Sequence, residues 1–172
     1  MSREPPDDAE LAVLARAAGD ALKAGGLRAV TVESCTGGLV AKLLTDIPGS
    51  SRWFEAGLVT YSNAAKQRDA SVRPATLMAH GAVSEAVVRE MAVGALTRSG
   101  ADRSVALSGV AGPDGGTPRN PVGSVWFALA LRGISGNDVT VKHERFKGDR
   151  DSIRRQAAAL ALKLLAGAGA AD

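Results

Sequence analysis

The sequence predicts an α/β domain in which helices cover a mixed β-sheet. Segments with the apolar spacing of helices alternate with short β-like segments, which is the pattern of α/β proteins. The last two β-like segments are adjacent, which favours an antiparallel part of the sheet. The length of 172 residues fits one domain. Since neither a linker nor an internal repeat divides the chain, residues 1–172 are expected to form a single domain.

The first half of the chain predicts two helices and two strands. Asp7 and Asp8 can cap a first helix with regularly spaced apolar residues, and the glycine pair at 25–26 stops it. The apolar residues 29–32 form a strand candidate that runs into a polar turn. A second helix over about 39–45 ends before a Pro-Gly pair, and residues 53–61 again have a β-like pattern.

The rest of the chain, from residue 63 onward, predicts further helices and three strands. A short helical turn over 63–68 precedes a helix over 84–98, for which Ser84 supplies the cap. The remaining elements, in chain order, are a buried strand over 105–107, a Gly- and Pro-rich loop over 112–120, strands over 122–131 and 139–146, and a final helix that begins near Asp149.

Composition indicates a core of small side chains and excludes several classes of protein. Hydrophobic residues make up 45% of the chain but aromatic residues only 3%, so Ala, Val and Leu must build the core. Few rings can stack on bases, and 21 Lys and Arg are mixed with 18 Asp and Glu, so we expect no nucleic-acid partner. The single cysteine, Cys35, excludes an internal disulfide and a cysteine-rich zinc site. With no secretory signal and no membrane-length apolar stretch, we expect a cytoplasmic protein without a membrane partner.

The densest cluster of small polar residues follows the first strand candidate. Ser34, Cys35, Thr36, Gly37 and Gly38 lead into the second predicted helix. The start of a helix presents free N–H groups that bind phosphate or carboxylate, and glycine lets a ligand approach the backbone. The alternative is a plain strand–helix turn in which Ser and Thr act as caps. Cys35 is interpreted as a small buried thiol.

Two further segments offer a nucleophile and a base. Ser51 ends a Pro-Gly-Ser-Ser turn, which is either a helix stop or a tight turn that presents a hydroxyl nucleophile. Lys66 is a candidate base, because a lysine near a buried site can be neutral and take a proton from serine. The alternative for Lys66 is a solvated surface charge. Tyr61, the only tyrosine, is either an oxyanion donor or a half-buried strand residue.

Further candidate site residues lie at the end of the third strand candidate and at the start of the last helix. Ser108 precedes a Gly-rich loop that contains Gly112, and sites on α/β sheets commonly occupy such loops. A mobile surface loop is the alternative. Arg150 lies where a cation opposes the helix dipole, and binding an anionic ligand would explain that placement. A solvated surface arginine is the default interpretation of Arg150.

Taken in order, the motifs resemble those of one family. The motifs are Glu33-Ser34-Cys35-Thr36-Gly37-Gly38, Pro48-Gly49-Ser50-Ser51-Arg52-Trp53-Phe54, Gly57-Leu58-Val59-Thr60-Tyr61-Ser62-Asn63-Ala64-Ala65-Lys66, His80-Gly81-Ala82-Val83-Ser84-Glu85, Ser108-Gly109-Val110-Ala111-Gly112-Pro113-Asp114-Gly115-Gly116 and Pro121-Val122-Gly123-Ser124-Val125-Trp126. The chain resembles the CinA C-terminal domain family, and within it the stand-alone nicotinamide-nucleotide amidohydrolases (PncC type). The ordered resemblance spans a core of about residues 9–165.

The resemblance implies a three-layer α/β/α domain with a mixed β-sheet. It also implies hydrolysis of nicotinamide mononucleotide to nicotinate mononucleotide and ammonia, in pyridine nucleotide salvage. No metal or organic cofactor is implied, and a homo-oligomer is expected. Two other functions stay open: a nucleotide-binding module without catalysis, and an amidase that acts on another small phosphorylated amide.

The family's pattern also implies catalytic positions in this chain. We expect Ser51 to attack the amide carbon, with Lys66 as its general base and later proton donor. Ser34 is the alternative nucleophile. Tyr61 and Ser108 are expected to donate hydrogen bonds to the oxyanion.

The same pattern implies substrate-binding positions. Thr36, Gly37 and Gly38 at the helix start are expected to hold the nucleotide or the reacting amide together with Ser34. Gly112 is expected to lie in the binding loop. Arg150 is expected to bind the phosphate.

Overall fold

The sequence folds into six α-helices and five β-strands in the described part of the chain, residues 4–167 of a computed structural model. The elements are α1 (Asp8–Gly25), β1 (Ala29–Glu33), α2 (Leu39–Thr45), a 3₁₀-helix (Ser50–Arg52), β2 (Phe54–Val59), α3 (Asn63–Ala70), α4 (Pro74–His80), α5 (Glu85–Ser99), β3 (Arg103–Gly109), β4 (Ser124–Arg132), β5 (Asn137–Arg145) and α6 (Arg150–Ala166).

The sheet forms the middle of three layers. Its strand order is β2-β1-β3-β4-β5, with β2, β1 and β3 parallel and with β4 antiparallel to both β3 and β5. One cluster of buried apolar side chains packs α1, α2 and α6 onto one face of the sheet, and a second packs α3, α4 and α5 onto the other. The predicted three-layer α/β/α fold with a mixed sheet is confirmed.

Helix caps account for most of the helix boundaries that the sequence predicted. Asp7 accepts a hydrogen bond from the N–H of Glu10, while the Glu10 carboxylate accepts one from the N–H of Asp7, so a capping box starts α1. The side chains of Ser84 and Asp149 cap α5 and α6 from the N-cap position by accepting from the N–H groups of Val87 and Ser152. Each cap satisfies N–H groups that a helix start leaves without a partner.

Small side chains fill the core, as the composition required. Buried Ala, Val and Leu side chains dominate both apolar clusters. Gly94 of α5 lies directly against the backbone of Ala70, and a Cβ atom at this position would overlap the Ala70 carbonyl. The close approach of α5 and α3 therefore depends on glycine at position 94.

Two local predictions were incomplete. The helical turn predicted over 63–68 is the helix α3, which extends to Ala70, and α4 was not predicted at all. Pro74 is the first residue of α4, a position that proline favours because the first helical N–H needs no partner inside the helix. None of the helices in residues 4–167 is long and apolar enough to cross a membrane.

The topology brings the carboxyl ends of three parallel strands together. β1 ends at Glu33, β2 at Val59 and β3 at Gly109, and these ends meet at the same edge of the sheet. Open α/β sheets bind their ligands outside this edge. The segments that follow these strands carry most of the residues that the sequence singled out.

Candidate active site

A cleft of about 210 Å³ opens at the carboxyl edge of the parallel strands. Its lining includes five residues that the sequence singled out as functional, which are Ser34, Tyr61, Lys66, Ser108 and Arg150. The cleft therefore brings together hydroxyl, amine and guanidinium groups from β3, α6 and the segments after β1 and β2.

Ser34 and Lys66 form a buried pair in this cleft. The Nζ of Lys66 lies 3.0 Å from the Oγ of Ser34 and 2.7 Å from the backbone oxygen of Thr60, to which it donates. Only 1% of Lys66 and 8% of Ser34 is exposed. No carboxylate in the described chain forms an ion pair with Lys66. The alternative reading of Lys66 as a solvated surface charge is therefore wrong.

Burial makes the Lys66 amine a usable base. Desolvation lowers the pKa of Lys66 from 10.5 to about 8, because the charged ammonium loses its water without gaining an anionic partner. A neutral Nζ can donate to the Thr60 carbonyl and still direct its lone pair at the hydroxyl of Ser34. The geometry thus suits proton transfer from Ser34 to Lys66.

The start of α2 is not an open anion site. The carboxylate of Glu33, which is fully buried, accepts hydrogen bonds from the hydroxyl of Thr36 at 2.7 Å and from the N–H groups of Gly38, Val40 and Ala41 at 2.8–3.1 Å. The protein's own carboxylate therefore occupies the position that was predicted for a ligand.

This arrangement corrects the ligand-binding interpretation of Thr36, Gly37 and Gly38. The hydroxyl of Thr36 and the N–H of Gly38 are both engaged by Glu33. Gly37 and Gly38 have φ values of +62° and +95°, which glycine adopts without strain. These glycines form the tight turn that joins β1 to α2 and carries Ser34 at its start.

Arg150 and Tyr61 lie at the mouth of the cleft. One guanidinium nitrogen of Arg150 donates to the backbone oxygen of Gly112 at 2.6 Å, and the other donates to the hydroxyl of Tyr61 at 3.2 Å. The Tyr61 side chain is 62% exposed, in contrast to the buried Ser34. Arg150 thus connects the Gly-rich loop to the segment after β2 and places a cation at the cleft entrance.

Ser108 supports one wall of the cleft. Its hydroxyl donates to the backbone oxygen of Ala82 at 2.8 Å, and only 1% of the residue is exposed. This hydrogen bond connects Ser108 to the segment before α5. The Ser108 hydroxyl must therefore rotate away from Ala82 before it can donate to an oxyanion.

Ser51 lies away from this cleft. It belongs to the 3₁₀-helix that precedes β2, and the backbone oxygen of the adjacent Trp53 accepts from the N–H of Ala29 at the beginning of β1. β2 has six residues, and a strand of that length spans about 20 Å. The structure thus places Ser51 at the opposite edge of the sheet, and the expected contact between Ser51 and Lys66 is wrong. Ser34, the alternative nucleophile, makes that contact instead.

Sequence reasoning missed two contributors to the site. In the sequence analysis, Glu33 is treated only as part of a motif. Its position directly before a small polar turn and a helix is the signal that could have identified it as the cap of α2. Arg154, one turn after Arg150 on α6, donates to the backbone oxygen of Thr36 at 2.9 Å and so connects α6 to the Ser34 turn. A side chain 118 positions away in sequence leaves no local signal for such a contact.

Cys35, beside Ser34, is a buried thiol. The residue is buried, and desolvation raises the pKa of the Cys35 thiol to about 11. The thiol form therefore predominates near neutral pH, which confirms the interpretation of Cys35 as a small buried thiol. Within residues 4–167, no three His, Cys, Asp or Glu side chains are grouped so that they could hold a metal ion.

Comparison with known proteins shows to which family this chain belongs. The model of the CinA C-terminal domain matches residues 11–168. The chain belongs to the CinA C-terminal domain family. Among its relatives is an Escherichia coli K12 protein named nicotinamide-nucleotide amidohydrolase PncC, which is 57% identical over 92% of this chain and 94% of the relative. A Pseudomonas putida protein of the same name is 47% identical over 88% of this chain and 92% of the relative.

Solved structures of the CinA superfamily have the same fold. A Klebsiella pneumoniae member superposes with a TM-score of 0.86 at 41% identity and covers 91% of this chain and 96% of its own. The competence/damage-inducible protein CihA of Agrobacterium tumefaciens gives a TM-score of 0.88 at 40% identity, with 98% and 99% of the two chains covered. The resemblance that the motifs indicated is therefore confirmed at the level of the family and the fold.

Proposed function

We propose that this chain is a nicotinamide-nucleotide amidohydrolase that converts nicotinamide mononucleotide to nicotinate mononucleotide and ammonia. Relatives that cover nearly the whole chain carry this name. The observation that supports amide hydrolysis most strongly is the buried Ser34–Lys66 pair, with Nζ and Oγ 3.0 Å apart. A serine activated by an adjacent base is the arrangement that acyl transfer requires.

In the first half of the proposed reaction, Ser34 becomes acylated. Neutral Lys66 accepts the hydroxyl proton while the Oγ of Ser34 attacks the amide carbon, which gives a tetrahedral oxyanion. Lys66 then donates this proton to the departing nitrogen. The C–N bond breaks, ammonia leaves, and the nicotinate group remains as an ester of Ser34.

In the second half, water releases the acid. Lys66, neutral again, takes a proton from a water molecule as that molecule attacks the ester carbon. The proton passes to the Oγ of Ser34 when the ester bond breaks. Nicotinate mononucleotide leaves, and both side chains return to their initial states.

We assign the oxyanion to the turn after Ser34. Among the hydrogen bonds of residues 4–167, none joins the backbone N–H of Cys35 to another residue. The N–H that follows a nucleophilic serine is a common oxyanion donor on strand–turn–helix segments. Tyr61 and Ser108 are proposed as further oxyanion donors: Tyr61 reaches the oxyanion from the exposed mouth of the cleft, and Ser108 does so after its hydroxyl leaves the Ala82 oxygen.

The decisive test of function is a coupled ammonia assay with nicotinamide mononucleotide. Nicotinamide and nicotinamide riboside serve as comparison substrates because they lack the phosphate. We expect the mononucleotide to give the highest kcat/KM. If the mononucleotide releases no ammonia, the proposed function is wrong. The chain is then either a nucleotide-binding module without catalysis or an amidase that acts on another phosphorylated amide.

Activity should increase with pH as Lys66 loses its proton. With a pKa lowered to about 8, the base form is the minor species at neutral pH. We expect kcat/KM, which reports the free enzyme, to rise through pH 8 and then level off. Measuring kcat/KM in a series of buffers of constant ionic strength checks this result, and a profile that stays flat around pH 8 would contradict it.

Arg150 is proposed to bind the phosphate at the mouth of the cleft. A guanidinium forms strong charge-assisted hydrogen bonds with phosphate. We expect Arg150→Ala to raise KM for the mononucleotide about tenfold or more, since one such bond contributes more than about 1.4 kcal/mol. KM for the riboside should change little, and an equal increase for both substrates would show that Arg150 only supports the Gly112 loop.

Two broader expectations follow from the family resemblance and stay predictions. We place the reaction in the cytoplasm, where pyridine nucleotides are recycled. We also expect a homo-oligomer, which light scattering of the purified protein measures directly.

A further inference from the structure

A second groove, of about 430 Å³, lies beside the catalytic cleft and plays no part in the proposed reaction. Its volume falls in the range of small-ligand sites. Val83 lines both the cleft and the groove, so the segment before α5 separates them. The polar and aromatic side chains that line the groove include His80, Arg89, Arg119, Asn120, Trp126 and His143.

Two stacked rings line the groove. Trp126 of β4 and His143 of β5 are direct neighbours across the strands, with ring centroids 4.4 Å apart and planes inclined by 23°. Trp126 is half-buried and His143 is exposed, so part of this aromatic surface faces solvent. Such a surface favours stacking with a planar ring of a ligand.

Two arginines, Arg89 and Arg119, line the groove together with these rings. Arg89 is held by the Glu85 carboxylate at 2.9 Å and by the backbone oxygen of Val139 at 3.2 Å. Glu85 is the only carboxylate among the residues that line the groove, and Arg89 neutralises it. Arg119 is exposed, and no residue in the described part of the chain forms an ion pair with it. The groove therefore retains a cation that is free to meet an anion.

The loop that carries Arg119 is fixed by hydrogen bonds. The N–H of Asn120 donates to the hydroxyl of Thr117 at 3.0 Å, and the Asn120 side chain donates to the backbone oxygen of Val83 at 2.9 Å. These bonds connect the loop to the wall of the groove. Arg119 is thus positioned at the groove edge by a folded turn.

We propose that this groove binds an anionic ligand with a planar aromatic ring, of the nucleoside monophosphate class, at a site distinct from the Ser34 cleft. The ring stacks on the outer, solvent-facing side of the Trp126–His143 pair, and the phosphate binds Arg119. The neutral donors of the groove, including Asn120, contribute polar contacts to the sugar. This assignment stands independently of the amidase reaction.

Titration with adenosine 5′-monophosphate, followed by tryptophan fluorescence, tests the proposal. The chain has two tryptophans, and Trp53 is buried in the core, so Trp126 reports on the groove. We expect a saturable fluorescence change in the wild type. The change should be lost in Trp126→Phe, whose folding is checked by its thermal transition. Adenosine and ribose 5-phosphate, each lacking one half of the proposed recognition, should bind at least about tenfold more weakly.

Matched arginine variants locate the binding site. Arg119→Ala should weaken binding of the monophosphate about tenfold or more, whereas Arg16→Ala, at an exposed position of α1, should leave it unchanged. Arg150→Ala should leave the fluorescence change of Trp126 unchanged, because that change reports on the groove and Arg150 lines the other cleft. Loss of binding in Arg150→Ala but not in Arg119→Ala would place the probe in the catalytic cleft and overturn the proposal. The absence of a saturable change in the wild type at millimolar probe would overturn it as well.

Discussion

Replacing Ser34 or Lys66 with alanine is expected to lower kcat for ammonia release from nicotinamide mononucleotide by a factor of about 10³ or more. Ser34→Ala removes the attacking oxygen, and Lys66→Ala removes the group that takes its proton. Because the two side chains act as one unit at 3.0 Å, the double variant should be scarcely worse than either single variant. Steady-state ammonia assays of the three variants measure this directly.

Ser51→Ala is the matched control for this prediction. Ser51 is an exposed serine at the opposite edge of the sheet, so its loss should leave kcat within about twofold of the wild type, since surface changes of this kind have small effects. A Ser51→Ala variant that lost activity while Ser34→Ala kept it would contradict the placement of the nucleophile.

Glu33→Ala is expected to destabilise the fold by about 4 kcal/mol, because its loss leaves several buried donors without an acceptor. The carboxylate accepts from the Thr36 hydroxyl and from three N–H groups at the start of α2. Its negative charge also interacts favourably with the positive end of the helix dipole. Glu33→Gln keeps the shape but replaces one acceptor oxygen with a donor, so we expect a loss of about 2 kcal/mol. Urea denaturation gives both values.

Glu55→Gln is the control for Glu33→Gln. Glu55 pairs with Arg28 at the surface, and exposed pairs of this kind contribute less than about 1 kcal/mol. Equal losses for the two Gln variants would show that the Glu33 carboxylate has no special role. The Ser34 turn lies directly between Glu33 and α2, so kcat of Glu33→Gln should fall along with its stability.

Much of the fold could be predicted because local chemistry determines the element boundaries. The acidic caps at Asp7 and Asp149 and the Ser84 cap accept bonds from helix N–H groups near in sequence. The antiparallel pairing of β4 and β5 likewise follows from their short connection. α4 was not predicted, although Pro74 at its first position is a residue type that favours helix starts.

The site was predicted less well because its decisive contacts join distant residues. Ser34 and Lys66 are 32 positions apart, and spacing alone did not reveal which serine meets the lysine. The topology of the sheet does show which serine lies near Lys66. A parallel β–α–β connection returns the chain to the starting edge of the sheet, so residues just before β2 lie opposite those just after β1. That argument excludes Ser51 from the carboxyl edge and leaves Ser34 there.

The anion site at the start of α2 was misassigned for a related reason. Free N–H groups at a helix start attract any nearby anion, and a carboxylate of the chain competes with a ligand for them. Glu33 ends β1 five residues before Gly38, within reach of the helix start. Its burial with four hydrogen-bond donors explains why a charged side chain can end a fully buried strand.

Ser34 is expected to form the covalent intermediate of amide hydrolysis. Mass spectrometry of peptides from enzyme quenched in acid during turnover of saturating nicotinamide mononucleotide tests it most directly. The predicted result is a nicotinate mononucleotide ester on the peptide that contains Ser34, and its absence in the Ser34→Ala variant. An ester on the Ser51 peptide, or turnover with the Ser34 peptide unmodified throughout, would show that Ser34 is not the nucleophile.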